Sequence, residues 1–512
     1  MKRMKQINMT IRKLKLPRSF YNWTSIIGAT AALISFFLIV FLFILSTIFD
    51  QGSSYIGVVI YIALPTLMII GLILIPIGMI IKHRRTIRGI PEKERRWPYI
   101  DFNDPKHRNA FMIFSIGSVI FLLISAIGSY EAFHYTESVE FCGTLCHKVM
   151  KPEYVAYQNS AHARVACVDC HVGSGADWYV RSKLSGLYQV YAVTVDNYPR
   201  PIPVPIRNLR PARETCEECH WPEKFYARQQ RIERHYLPDY DNTEWDIHLN
   251  MKIGPTLSAL GLQEGIHWHI HQDVKIEYVA TTPDREIIPW VRYTNLSTGE
   301  VFEFIDEDNP LEGRPEEYEV RVMDCMDCHN RPSHHYQTPV YAINNAITAG
   351  FIPQELPDIK YISMEVMNGN YPTEDSALRA IEAGIHEYYS DMFEDIYEND
   401  LALIHTAVQG IQNVFKKNIF PEMRVNWKVY PNHIGHLEFD GCFRCHNDRH
   451  STSKGRKISM DCDLCHTIIA QGTPDNMQMI SRLDESLEFY HLNDPNQSWK
   501  GKLCSECHKQ LY

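Results

Sequence analysis

The cysteines are the feature of this sequence that most restricts what it can fold into. Each of the fourteen cysteines in the 512-residue chain belongs to a motif of two cysteines, two or three residues apart, followed directly by a histidine. The motifs are Cys142, Cys146 and His147; Cys167, Cys170 and His171; Cys216, Cys219 and His220; Cys325, Cys328 and His329; Cys442, Cys445 and His446; Cys462, Cys465 and His466; Cys504, Cys507 and His508. At this spacing two thiols can form thioether bonds to a porphyrin while the adjacent histidine binds the iron. The sequence therefore predicts seven covalently bound haem c groups.

Structural zinc sites and disulfide bonds are the alternative uses of paired cysteines. Zinc sites also pair cysteines at this spacing, but they do not require a histidine directly after the second cysteine. Disulfide bonds leave the same histidine unexplained. Because the histidine recurs in all seven motifs, we interpret the set as haem attachment sites.

Three long apolar stretches lie before the first motif, at residues 24–49, 55–81 and 111–133. Each is long enough to cross a bilayer, which takes about 20 apolar residues. The first stretch is too long for the apolar region of a cleavable signal peptide, so we expect it to remain as an anchor. The sequence predicts three transmembrane helices.

Basic residues predict the orientation of these helices. Seven Lys and Arg residues precede the first stretch, nine lie between the second and third, and none lies in residues 50–54. By the positive-inside rule the N-terminus is cytoplasmic, and everything after the third stretch lies on the other side of the membrane. We therefore expect a membrane protein with its haem domain outside the cytoplasm.

Charge is unevenly divided along the chain. The first 110 residues hold sixteen basic and five acidic side chains, although the whole chain has a net charge of -10. The region after the membrane anchor is therefore strongly acidic. Such a surface favours encounter with a basic soluble partner, and it also keeps a domain soluble. We expect a basic soluble protein as a partner and no nucleic acid.

The spacing of the motifs predicts four regions. These are a membrane anchor (1–135), a four-haem domain (136–338), a helical connecting region (339–430) and a three-haem C-terminal domain (431–512). The connecting region has helical apolar spacing, and residues 274–305 have the Val, Ile, Tyr and Thr content of a short strand meander. The predicted fold class is mainly α, with irregular haem-packed regions, three transmembrane helices and a small strand meander.

Histidines outside the motifs are candidates for the second axial ligand of each iron. Proximity to a motif favours His162, His334, His433, His436 and His450. His267, His269 and His271 alternate along an expected strand and would share one face, where one or two could bind iron; we select His267. The further options are His235, His248, His335 and His491. For each of them a hydrogen-bonded structural histidine is the alternative.

Met150 follows the first motif by three residues. A thioether ligand raises the haem potential relative to a second imidazole. A packing role is the alternative for a methionine at this position.

The residues around the first two motifs resemble the NapC/NirT/NrfH family of membrane-anchored multihaem quinol dehydrogenases. The run from Phe141 to Tyr154, Ser160 with His162, and Cys167 to His171 carry the resemblance, which extends over about residues 111–335. Three spans with seven haems are similar to the seven-haem inner-membrane cytochrome H type of metal-reducing bacteria. The resemblance implies a location in the bacterial inner membrane with the haem domain in the periplasm. It also implies menaquinol as electron donor, oxidised beside the first haem, Met150 as a ligand of that haem, and basic soluble periplasmic c-type cytochromes as electron acceptors.

The resemblance also implies ionisable residues at the quinol. Lys183, twelve residues after His171, matches the position of the family's quinol-site lysine. Asp196 and Glu153 are the candidates for the accompanying carboxylate. Quinol oxidation releases protons together with electrons, so a base beside the first haem has a defined chemical task.

The function that these observations predict is quinol:cytochrome c electron transfer in anaerobic or extracellular respiration. Two alternatives stay open: an electron-relay or anchor subunit of a larger respiratory complex, and a multihaem oxyanion reductase. No motif replaces its histidine by lysine, as nitrite-reducing multihaem enzymes do, and this counts against the reductase.

Overall fold

The computed structural model describes residues 17–48, 63–89, 101–173, 175–206, 210–221, 225, 227–254, 265–482, 485–492, 494 and 496–509. These residues divide into two compact units. The first lies within Met1–Ala132 and Ser174–Lys183, and the second within Phe133–Gly173 and Leu184–Tyr512.

Three helices have the length and apolarity of membrane spans: α1 (Trp23–Ile48), α2 (Leu64–Ile87) and α3 (Pro105–Glu137). The three predicted transmembrane helices are thereby confirmed, although residue 49 of the first prediction and residues 55–62 of the second lie outside the described residues. Glycines allow α1 and α2 to pack closely, because a Cβ on Gly28 would come within 2.5 Å of the Gly71 carbonyl oxygen. The Ser25 hydroxyl also donates to the Ile75 carbonyl oxygen at 2.8 Å.

Helices of 4 to 19 residues follow α3 along the chain. They are α4 (Val139–Thr144), α5 (His147–Gln158), α6 (Cys167–His171), α7 (Ala176–Thr194) and α8 (Ala212–Cys216), followed later by α9 (Cys325–Cys328). Most of them begin or end within a cysteine motif. A single helical turn suits these motifs, because it places residues three or four apart on the same face.

Two antiparallel sheets cross the predicted domain boundaries. One has the strand order β1 (Arg228–Tyr236), β2 (Glu244–Lys252), β8 (His466–Thr473) and β9 (Asn476–Met479). The other has the order β6 (Arg321–Val322), β3 (Val274–Val279), β4 (Trp290–Asn295), β5 (Val301–Asp306) and β7 (His450–Ser451). Strands β3 to β5 form the meander predicted for residues 274–305. The first sheet was not predicted, and its β2–β8 pairing joins the four-motif region to the three-motif region.

A helical bundle occupies the region between the two groups of motifs. It comprises α10 (Pro339–Thr348), α11 (Ile359–Met367), α12 (Glu374–Met392), α13 (Glu394–Asn399) and α14 (Leu401–Asn418). Its apolar stripes meet in a core where Ile381, Ile385 and Ile411 have no exposed surface. The bundle contacts both groups of motifs, since Asn242 donates to the Leu356 carbonyl oxygen and Thr338 donates to Glu438. A short helix, α15 (Cys504–His508), carries the last motif.

One local prediction is wrong. His267, His269 and His271 do not alternate along a strand, because residues Ile266–Ile270 form a 3-10 turn. In a turn of three residues, positions two apart point in different directions. The ring of His267 and the ring of His269 can therefore reach two different partners.

Candidate haem centres

Six of the seven motif histidines face a second histidine in the structure. The pairs are His171/His334, His220/His162, His329/His267, His446/His269, His466/His436 and His508/His491. Their ring centroids lie between 5.8 and 6.3 Å apart. Each pair joins one motif histidine to one histidine outside the motifs, and no histidine is shared between two pairs.

This separation fits an iron held between the two rings. A metal–imidazole bond is about 2 Å long and the ring centroid lies about 1 Å further, so two opposed ligands need about 6 Å between centroids. A contrasting pair lies on the helical bundle, where the rings of His386 and His405 are 5.1 Å apart and neither belongs to a motif. The donors present, two thiols with two imidazoles for each of six motifs, fit haem c. When bound, haem c supplies one-electron redox chemistry at its iron.

Burial favours the neutral form of nine of these imidazoles, and a ligand of iron must be neutral. It lowers the pKa of His436 and of His446 to about 4. It also lowers the pKa of seven other paired histidines: His171, His267, His269, His329, His334, His466 and His508. The rings thus keep a lone pair at neutral pH.

The structure separates the six predicted distal ligands into two groups. His162, His267, His334 and His436 each face a motif histidine, whereas His433 and His450 have both ring nitrogens in hydrogen bonds. The nitrogens of His433 meet the carbonyl oxygens of Asp327 and Asp284, at 3.1 and 3.0 Å. Those of His450 meet the Asn447 side chain at 3.0 Å and the Ile288 carbonyl oxygen at 2.7 Å. We therefore assign His433 and His450 structural roles.

Two facing histidines were only secondary options in the sequence. The incorrect strand prediction placed His269 on the same face as His267, and only His267 was selected. The 3-10 turn instead directs the His269 ring to His446. His491 lies seventeen residues before His508 without any local pattern to mark it, and only the fold brings the two rings to 6.1 Å.

The first motif differs from the other six. Within the part of the chain that the structure describes, no histidine ring faces His147. Met150, the other predicted ligand, lies three residues further along α5, so both side chains project from the same face of one helix. Two groups on one face of a short helix can supply one axial position, but they cannot lie on opposite sides of the same porphyrin.

The three residues predicted at the quinol have different surroundings. The Lys183 ammonium lies 5.0 Å from the centre of the Tyr179 ring. Asp196, whose side chain is 71% exposed, pairs with Arg200 at 2.5 Å. Glu153 is mostly buried and contacts Arg331 and His334. Their roles at a quinol stay predictions.

Cysteines of consecutive motifs lie next to one another. Hydrogen bonds join the Cys167 thiol to Cys142 and the Cys216 thiol to Cys325, and they raise the pKa of Cys167 and of Cys216. For four other cysteines burial is the main cause of a raised pKa, and the charge of a thiol in the adjacent motif raises that pKa further. These cysteines, each with the neighbouring thiol that acts on it, are Cys170 with Cys219, Cys328 with Cys442, Cys465 with Cys442, and Cys504 with Cys462. Among the described residues, the attachment sites thus follow one another in space in their order along the chain.

Four of the predicted attachment cysteines are exposed, and a fifth lies between two helices. Cys146 is partly exposed and lies between α4 and α5, outside both helices, because the first motif has one residue more than the others. Cys170, Cys219, Cys462 and Cys507 are exposed at the surface. The backbone holds Cys219 near its motif partner, since the Cys219 N–H donates to the Cys216 carbonyl oxygen at 3.2 Å. Attachment of haem at these cysteines, as at the others, stays a prediction from the motifs.

Comparisons with known proteins extend over both groups of motifs. The model of the NapC/NirT cytochrome c family, N-terminal region, matches residues 104–201. The cytochrome c-type protein ImcH of Geobacter sulfurreducens is 43% identical over 506 residues, which are 98% of this chain and 97% of its own length. The cytochrome c-type protein NrfH of Wolinella succinogenes is 24% identical over 182 residues, 34% of this chain and 90% of its own length. No solved structure matches the chain.

Proposed function

Since the chain belongs to the NapC/NirT cytochrome c family and, over nearly its whole length, to the family of ImcH, we propose that it is a seven-haem quinol dehydrogenase. In this proposal it oxidises menaquinol at the periplasmic face of the bacterial inner membrane. It then passes the electrons through its haems to periplasmic c-type cytochromes. The family and the three apolar helices identify the protein as a membrane-anchored multihaem cytochrome c of electron transport.

The facing histidines are the observation that carries the proposal. Six motifs have two imidazoles at the spacing that one iron needs. We propose His334, His162, His267, His269, His436 and His491 as the distal ligands of the second to seventh haem. Irons closed by two imidazoles transfer electrons without binding a substrate. This supports an electron carrier over an oxyanion reductase.

The contacts between cysteines support a single path. Because consecutive attachment sites adjoin one another, we propose that electrons move from the first haem to the seventh in sequence order. The first motif follows the third apolar helix almost directly, so the proposed entry lies at the membrane. The exit near the last motif would serve a basic cytochrome, which the acidic charge of the region after the anchor would attract.

Proton removal is the task that we propose for Lys183. The lysine lies on α7, the helix that follows the second motif, at the position that matches the family's quinol-site lysine. Asp196 is a second candidate, although its pairing with Arg200 already occupies its carboxylate. Glu153 is engaged with His334 and Arg331, and we no longer propose it as a proton acceptor.

Quinol-driven reduction by the purified single chain tests the proposal. We expect a soluble menaquinol analogue to reduce the haems, and a quinone-site inhibitor to prevent it, while dithionite reduces them in either case. If the haems stay oxidised until another subunit is added, the protein is a relay or anchor subunit of a larger complex. A mass increase equivalent to seven haems and periplasmic activity of a C-terminal phosphatase fusion would test the cofactor count and the orientation.

A further inference from the structure

The ring of His334 has a different hydrogen-bond partner from the other proposed ligands. Its Nδ1 lies 3.0 Å from a carboxylate oxygen of Glu153 and 3.0 Å from the carbonyl oxygen of the same residue. Five other ligands direct Nδ1 to a neutral backbone carbonyl oxygen: His162, His267, His269, His446 and His491. Nδ1 of His436 and Nδ1 of His466 are buried without a partner among the described residues. Of the ligands whose Nδ1 surroundings the structure describes, His334 alone faces a charged acceptor.

A buried arginine holds the carboxylate in place. The Arg331 side chain is only 8% exposed, and its Nη2 lies 3.5 Å from both carboxylate oxygens of Glu153. Its Nε donates to the His334 carbonyl oxygen at 2.8 Å. The guanidinium also lies 4.2 Å from the centre of the Tyr430 ring. Arg331 is therefore fixed at both the ligand and the carboxylate that faces it.

The charges of these two residues act on the iron in opposite directions. A carboxylate that accepts the Nδ1 proton makes the imidazole a stronger donor and favours the oxidised, more positive iron. A guanidinium nearby favours the reduced iron. Both charges are weakly screened, because Glu153 is 17% and Arg331 8% exposed, and charges in such places interact more strongly than on a surface.

We propose that Glu153 and Arg331 are positioning residues that set the reduction potential of the second haem through His334. This inference rests on the proposed function, in which His334 binds the iron of that haem. Glu153 lies on α5, one turn after Met150, so this pair acts on the acceptor in the first electron transfer between haems. It thereby sets how readily electrons leave the quinol side.

Glu153→Gln tests the carboxylate, because the amide keeps the size and an acceptor oxygen but removes the charge. We expect a spectropotentiometric titration to show one haem of the set with its reduction equilibrium constant raised about tenfold, equivalent to about 59 mV for one electron. Haem content should be unchanged. The matched control is Glu374→Gln. Glu374 lies on α12 and pairs with Lys151, which is on α5 like Glu153. Its substitution should leave the reduction potential of every haem unchanged.

Arg331→Gln should shift the reduction potential of the same haem in the opposite direction. Loss of the guanidinium leaves the Glu153 charge unopposed, so the same haem should become harder to reduce. His334→Met identifies that haem, because it changes the EPR signal of the second iron alone. The proposal fails if Glu153→Gln leaves all reduction potentials unchanged or if both variants shift the potential in the same direction. It also fails if the potential that shifts belongs to a haem other than the second.

These outcomes separate the proposal from the one on which it rests. If His334→Met leaves every EPR signal unchanged, His334 is not a ligand and both assignments fall. If His334→Met changes one signal but the Glu153 and Arg331 variants do not move its potential, only the tuning role falls. If Glu153→Gln does not accumulate, the proposal is still tested by Arg331→Gln, which should make the second haem harder to reduce.

Discussion

The imidazole rings of His267 and His329 lie almost parallel, with an interplanar angle of 5° and 6.3 Å between their centroids. The His436/His466 pair is similar at 24°. Two other pairs are nearly perpendicular: His162/His220 at 79° and His269/His446 at 80°. The angle between axial imidazole planes controls the splitting of the iron d orbitals, so these pairs predict two spectroscopic classes of low-spin haem.

The oxidised protein should therefore give EPR signals of both classes. Parallel rings give rhombic signals and perpendicular rings give strongly anisotropic ones. His267→Ala should remove one rhombic signal and create one high-spin iron, without loss of covalent haem. His271→Ala is the matched control, since His271 stacks on Trp268 and faces no motif histidine among the described residues. Loss of an anisotropic signal in His267→Ala would contradict the ligand assignment.

The first haem should differ from the others in coordination. Because His147 and Met150 share one face of α5, they compete for one axial position. We expect the reduced protein to bind about one carbon monoxide per chain, at the first haem. Of the variants His147→Ala and Met150→Leu, only the one that removes the actual ligand should alter the spectrum of that haem. Carbon monoxide binding at several haems would refute this prediction.

Lys183→Leu should slow menaquinol-driven reduction by about a hundredfold or more, the lower end of the range that positioned proton acceptors contribute. Haem content and reduction by dithionite should not change. Arg181→Leu is the control, because Arg181 lies on the same helix with its guanidinium 5.1 Å from the centre of the Trp178 ring. Equal slowing by both substitutions would point to a general effect of charge on α7.

Lys360 should make the stability of the helical bundle depend on pH. Its side chain is 3% exposed and donates to Asn344 at 2.7 Å, and burial lowers its pKa to about 7 from the ordinary 10.5. The unfolded chain therefore binds more protons than the fold between these values, so the free energy of unfolding rises as pH increases from about 7 to 10.5. Below pH 7 the fold carries the full cost of the buried charge.

Lys360→Met should consequently stabilise the protein at pH 6, by on the order of 2 kcal/mol after the loss of its hydrogen bonds. This advantage should shrink towards pH 9, where the wild-type amine is neutral in the fold. Thermal unfolding followed by circular dichroism measures the difference, and Lys417→Met, at an exposed position of α14, serves as the control. A difference that does not vary with pH would refute the assignment.

Much of the identity of the protein was readable from short segments. The resemblance carried by residues 141–171 is confirmed by the family model that covers them and by the relative that matches nearly the whole chain. The fold class and the three apolar helices are also confirmed. Long apolar stretches and motifs are local properties, so one segment of sequence is enough to recognise each of them.

The distal histidines could not be assigned from the sequence around each motif. His433 lies nine residues before Cys442, His436 lies six before it, and His450 lies four after His446. The structure nevertheless places His433 and His450 in hydrogen bonds. His334 follows the fourth motif but faces His171 of the second. Closeness in sequence did not indicate which iron a histidine would reach, because the chain folds back between them.

The sequence by itself determined the seven attachment motifs, their histidines, the membrane anchor and the division of charge, because each depends on residues that are adjacent or evenly spaced. Tertiary structure decided which second histidine faces each motif, the order of the attachment sites in space, and the contact between Glu153 and His334. These depend on elements far apart in the chain, such as α5 and the segment after α9, that meet only when the apolar surfaces and backbone hydrogen bonds are satisfied together.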